Sequence, residues 1–134
     1  MGRLFMKRNE RAKEWLKRAR SNLARAKLGV VSSDILYEDL CFDAQQAVEK
    51  SLKSLCIIHN IAFPKTHDIA YLIDLLKKNG VAIPKVIQKA RMLTGYAVET
   101  RYPGDYESVV EKKYKEALAI ADKVVNWVET HFKY

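Results

Sequence analysis

Apolar residues recur every three or four positions through almost the whole of this chain, and no run of alternating residues competes with them. A period near 3.6 is the signature of helices that bury one face. Ala12, Trp15, Leu16, Ala19, Leu23 and Ala26 trace one such face, and the spacing predicts a first helix from a cap at Asn9 to Leu28, with Gly29 after its end. A second, longer helix capped by Ser33 or Asp34 reaches about His59, with Tyr37, Leu40, Cys41, Ala44, Ala47, Val48, Leu52, Leu55 and Cys56 on its apolar side. Thr66 reads as the cap of a short third helix whose inner residues are Ile69, Leu72, Ile73 and Leu76, closed by Asn79-Gly80. Pro84 suits the first turn of a fourth, with Ile87, Ala90, Leu93, Thr94 and Ala97 inward. A last helix is expected from about Ser108 to Phe132, carrying Val110, Tyr114, Ala117, Ala121, Val124 and Val128.

The chain has 134 residues, with 49% hydrophobic, 5 Gly and 3 Pro. That is one ordinary domain with enough apolar material for a core and few loop-forming residues. The expected fold is all-α: a single domain over residues 1–134, an antiparallel up-and-down bundle of four or five helices, with residues 1–8 a flexible extension. The most apolar run, residues 54–63, includes His59 and Asn60 and falls short of the ~20 residues a membrane span needs. The first six residues have no apolar stretch of signal-peptide length, so the expected location is the cytoplasm. Cys41 and Cys56 share the second helix, roughly 22 Å apart at ~1.5 Å per residue. A disulfide needs Cα atoms within ~7 Å, so both are expected to be buried thiols of a reducing compartment.

The net charge is +8, and its placement says more than its size. Residues 1–28 hold ten Lys and Arg against Glu10 and Glu14, while the rest of the chain balances. Arg11, Arg18 and Arg25 form one stripe beside the apolar face of the first helix; Lys13, Lys17, Arg20 and Lys27 form another. Such a field attracts polyanions, RNA or nucleotide phosphates among them. A well-solvated helix face has the same pattern, and the charge alone does not separate the two.

Three segments are candidates for chemistry. On the second helix Gln46, Lys50 and Lys53 lie three and four apart, an amide and two ammonium groups suited to a phosphate or a base edge, or else to a polar ladder between helices. Lys65-Thr66-His67-Asp68 places an imidazole at a helix start, where anions bind and where His can move protons near neutral pH, or where it simply supports structure. Arg101-Tyr102-Pro103-Gly104-Asp105-Tyr106, preceded by Tyr96, is a rigid turn from which Arg101 can hold a phosphate and Tyr102 and Tyr106 can stack on bases, or pack the loop onto the bundle. His59 and His131 stand alone near helix ends. There is no glycine-rich phosphate loop, HExxH motif or nucleophile elbow, and no carboxylate cluster of the kind a metal needs, so neither a metal nor a cofactor is expected.

Taken in order, a basic first helix with Trp15, then Gln45-Gln46-Ala47-Val48-Glu49-Lys50-Ser51-Leu52-Lys53, then Lys65-Thr66-His67-Asp68-Ile69, then Arg101-Tyr102-Pro103 before the last helix, the chain resembles the HEPN domain family (higher eukaryote and prokaryote nucleotide-binding) over nearly its whole length. The resemblance implies a helical bundle that dimerises and a partnership with a minimal nucleotidyltransferase in a toxin–antitoxin-like pair. Some branches are metal-independent ribonucleases in which an Arg is followed, after four to six residues, by a His. Here Arg101 matches, but the permitted His positions hold Tyr106, Glu107 and Ser108. The expectation is therefore a module that binds nucleotide or RNA, with Arg101, Tyr102 and Lys50 lining the site and Lys65 and Tyr106 contributing. A divergent ribonuclease using Arg101 with His67 or Tyr106, and a non-catalytic dimeric scaffold, are the alternatives.

Overall fold

The computed structural model describes the backbone of residues 2–97 and 111–132 and the side chains of residues 7–94 and 111–132. Its elements are α1 (Gly2–Leu28), α2 (Tyr37–Ile58), α3 (Ile69–Lys78), α4 (Lys85–Gln88), which tightens into a 3-10 segment (Lys89–Ala97), and α5 (Glu111–Glu129). Among the described residues there is no strand, and no helix is long and apolar enough to cross a membrane.

α2 is the axis of the molecule. From Ala44 to Ile57 nearly every residue is buried, because α1, α3, α5 and the 3-10 segment all pack on it. α1 and α2 form an antiparallel hairpin, joined along its length by Ser54 donating to the Ala12 carbonyl (2.7 Å) and Asn22 donating to Asp43 (2.9 Å). α5 returns antiparallel to α1, with Tyr114 donating to the Ala26 carbonyl at one end and Arg20 paired with Glu129 at the other. It therefore runs in the same sense as α2, setting Tyr37 against Tyr114 and His59 against His131. Leu52, Leu55, Leu72, Ile73, Leu76 and Val124 fill the centre with no exposed surface. Burying each such side chain contributes about 1.5–3 kcal/mol.

The helix starts differ from expectation. α1 begins at Gly2, so residues 2–8 are helical and Asn9 lies inside the helix. No proline or further glycine follows Gly2 before Asn9, and Leu, Met, Lys and Arg carry helix onward. α2 starts at Tyr37 after Leu36, with no side-chain cap; Glu38 and Asp39 in its first turn face its positive end instead. The cap of α3 is Asp68, whose carboxylate accepts from the Tyr71 N–H (3.2 Å), and Thr66 accepts from the Asp68 N–H one step earlier (3.0 Å). Pro84 is itself the N-cap of α4, with ψ at 151°. Gly29 (φ +71°) and Gly80 (φ +89°) close α1 and α3 in the left-handed conformation that a Cβ disfavours.

Candidate nucleic-acid interface

The structure divides the Gln46–Lys50–Lys53 face. Lys53 is buried, with its ammonium 3.1 Å from Glu49 Oε2 and roofed by the rings of Trp15 and Phe63 at 5.5 and 5.9 Å. That cation is neutralised by a carboxylate and shielded by two aromatic faces, so it is unavailable to a ligand. Gln46 donates to Gln45 Oε1 at 2.8 Å. Lys50 alone keeps a way out. Its ammonium donates to Asn22 Oδ1 (2.8 Å) and also lines a hollow on the α1 side. Partial burial lowers its pKa first; the positive Arg25 and Arg18 lower it further, against the opposing pull of Glu49 and Asp43. A bound anion would relieve both effects.

His67 precedes the α3 cap rather than occupying its first turn. Its Nδ1 lies 2.9 Å from Glu49 Oε1 while 79% of the side chain remains exposed. Glu49 thus takes Lys53 on one oxygen and His67 on the other, tying the loop before α3 to the centre of α2. Lys65, two residues earlier, is exposed.

The arginine stripe also divides. Arg25 is engaged by Asp43, at 2.7 Å through Nη2 and 3.2 Å through Nε. Among the described residues Arg18 makes only an exposed, same-helix ion pair with Glu14 at 3.4 Å, an interaction of small worth in water. Arg11 has no ion pair among the described residues and stands where two hollows meet. One, about 440 Å³, is lined by Arg11, Glu14, Trp15, Arg18 and Lys50. The other, about 420 Å³, is lined by Arg11, Trp15, Ile57, Asn60, Ile61, Ala62 and Phe63. Three cations thus border one concavity, and half-buried Trp15 with Phe63 and two isoleucines borders the next.

Trp15 in this role was not anticipated; its spacing had placed it with the core. The signal was present, since Arg11, Trp15 and Arg18 are four and three apart and share one ridge of α1. Phe63 and Asn22 carried no such signal, as both meet the site only through tertiary contact. Arg101, Tyr102 and Tyr106 lie outside the described residues. Among the described residues no group of three or more His, Cys, Asp or Glu is placed to hold a metal.

An all-helical domain built on a buried central helix, with one cationic, aromatic-walled groove beside it, is the class these observations define. The HEPN domain family profile matches residues 12–131, and the chain belongs to that family. The crystal structure of an archaeal HEPN homologue superposes on it with a TM-score of 0.70 at 28% identity, covering 91% of this chain and 98% of that one. No curated protein matches significantly.

Proposed function

We propose that this HEPN protein binds RNA or nucleotide phosphates along the α1 groove, with Arg11, Arg18 and Lys50 meeting phosphate and Trp15 offering a surface for a base. The observation that carries the reading is the junction of the two hollows at Arg11 and Trp15, where unspent positive charge adjoins an aromatic wall. Backbone charge supplies affinity and aromatic stacking tolerates sequence, a combination found in single-strand binding. The family resemblance extends the proposal to a cytoplasmic homodimer acting beside a minimal nucleotidyltransferase in a toxin–antitoxin-like pair, with Arg101 and Tyr102 completing the site. Fluorescence anisotropy with a short single-stranded RNA at rising salt tests it. Three phosphate contacts predict a log–log salt slope of about −2. Binding indifferent to salt, or none at low salt, would remove the proposal.

A metal-independent ribonuclease is the second reading, favoured by the Glu49–His67 pair. A buried carboxylate on Nδ1 leaves Nε2 facing solvent, the arrangement of an imidazole equipped to move protons. This reading requires RNA cleavage in the presence of chelator that is lost in both Arg101→Ala and His67→Ala.

A further inference from the structure

The last turns of α2 and α5 bring together two histidines 72 positions apart in sequence. His59 is the C-cap of α2, fixed by its N–H bond to the Leu55 carbonyl (3.1 Å), and Asn60 (φ +57°) turns the chain immediately after it. His131 sits two residues beyond the end of α5, held by its N–H to the Val128 carbonyl (3.0 Å) and by the buried Phe132 that follows. The two rings lie 5.9 Å apart, centre to centre, at 70°.

The rings are presented in a particular way. His131 Nδ1 is 3.2 Å from the Trp127 carbonyl, which can only accept, so Nδ1 donates there and Nε2 is the ring nitrogen left for another partner. The Trp127 ring packs edge-on at 4.7 Å and sets the imidazole plane. A backbone carbonyl behind one ring nitrogen is the usual support for a histidine that binds metal through the other. His59 is exposed and His131 half-buried, so solvent reaches the pair. Both rings also lie at the carbonyl ends of their helices, the negative ends, where a cation is favoured.

The distance fits one ion. With Zn–N about 2.0–2.1 Å, two imidazoles sharing a metal have ring centres up to about 6.4 Å apart, and small side-chain rotations close 5.9 Å to a tetrahedral angle. Arg20 of α1 and Glu129 of α5 pair with each other. We infer that His59 and His131 form a two-histidine site for a late first-row divalent ion such as Zn²⁺, completed by water, which clips the end of α2 to the end of α5. Imidazole nitrogen is a suitable donor for such ions and a poor one for Mg²⁺ or Ca²⁺. Cys41 and Cys56 do not compete, being buried with thiol pKa values pushed up to about 11 and about 12.

Competition with a zinc chromophore and calorimetric titration of Zn²⁺ into the full chain test this. The wild type is expected to take one ion per chain, and His59→Gln and His131→Gln are each expected to weaken binding at least tenfold, with His67→Ala unchanged. Zinc is also expected to raise the melting temperature of the wild type and of His67→Ala, but of neither glutamine variant. Metal-free melting of all four proteins establishes that each is folded. No binding up to millimolar Zn²⁺, or unchanged affinity in both glutamine variants, overturns the site, and loss in His67→Ala alone moves it to the Glu49–His67 pair.

Discussion

Lys50 and Lys53 are chemically identical, sit three residues apart on α2 and have opposite fates. Lys53 is enclosed by Glu49, Trp15 and Phe63; Lys50 bonds to Asn22 and reaches the groove. Lys53→Ala is expected to cost about 3–5 kcal/mol in chemical denaturation, since it leaves the Glu49 carboxylate buried without its ammonium partner. Lys50→Ala should leave stability nearly unchanged while weakening RNA binding and reducing its salt slope by about 0.7. His67→Ala should cost under about 1 kcal/mol, because its ring is largely in water. Helical spacing placed Gln46, Lys50 and Lys53 on one side of α2, and that was legible. Which of them met solvent was not, because exposure depended on Phe63 from the following loop and Asn22 from another helix, and period carries no information about either.

At the scale of elements, the apolar faces were nearly all readable. The residues that spacing selects on α1, α2, α3 and α5 are buried where the structure describes them, except that Trp15 and Tyr37 are only partly so; spacing did not select Ile57 and Val125, nor the buried polar residues Asn22, Gln45, Glu49, Ser51, Lys53 and Ser54. The starts were not readable to the residue. Ser33, Asp34 and Thr66 are good capping types, yet α2 begins after Leu36 and α3 after Asp68. Several polar residues in a row offer several caps, and the one used is chosen by where the apolar face must dock. Ser32 and Thr66 instead accept backbone N–H bonds two residues on, from Asp34 and Asp68, forming turns that lead into the helices. Asp68→Ala is accordingly expected to lower thermal-unfolding stability by about 1 kcal/mol, and Thr66→Ala by less. An equal or larger loss in Thr66→Ala would return the cap to Thr66.

For the whole molecule, the central place of α2 ties stability to what it buries. Cys41 and Cys56 have thiol pKa values raised to about 11 and about 12, chiefly by burial. A thiol that ionises less readily folded than unfolded contributes stability that is fully present below the ordinary thiol pKa and is lost as pH rises toward the folded values. Denaturation curves should therefore hold steady near neutrality and weaken through that alkaline window. Both thiols should resist alkylation at neutral pH until the chain unfolds. The net charge belongs to this scale too. Its concentration on α1 was plain in the sequence, but only the packed molecule shows Arg25 engaged by Asp43 and Lys27 by Asp122, leaving Arg11, Arg18 and Lys50 around one hollow. Sequence proximity suggested a stripe, whereas tertiary pairing selected a site. The most direct measurement compares single-stranded RNA binding, across a salt series, for the wild type, the Arg11→Ala/Lys50→Ala double variant and Lys115→Ala, whose cation lies on α5 beside Glu111. The groove predicts that the double variant binds at least tenfold more weakly with a salt slope shallower by about 1.4, while Lys115→Ala matches the wild type. A double variant that binds as the wild type does would place the polyanion elsewhere and contradict the account.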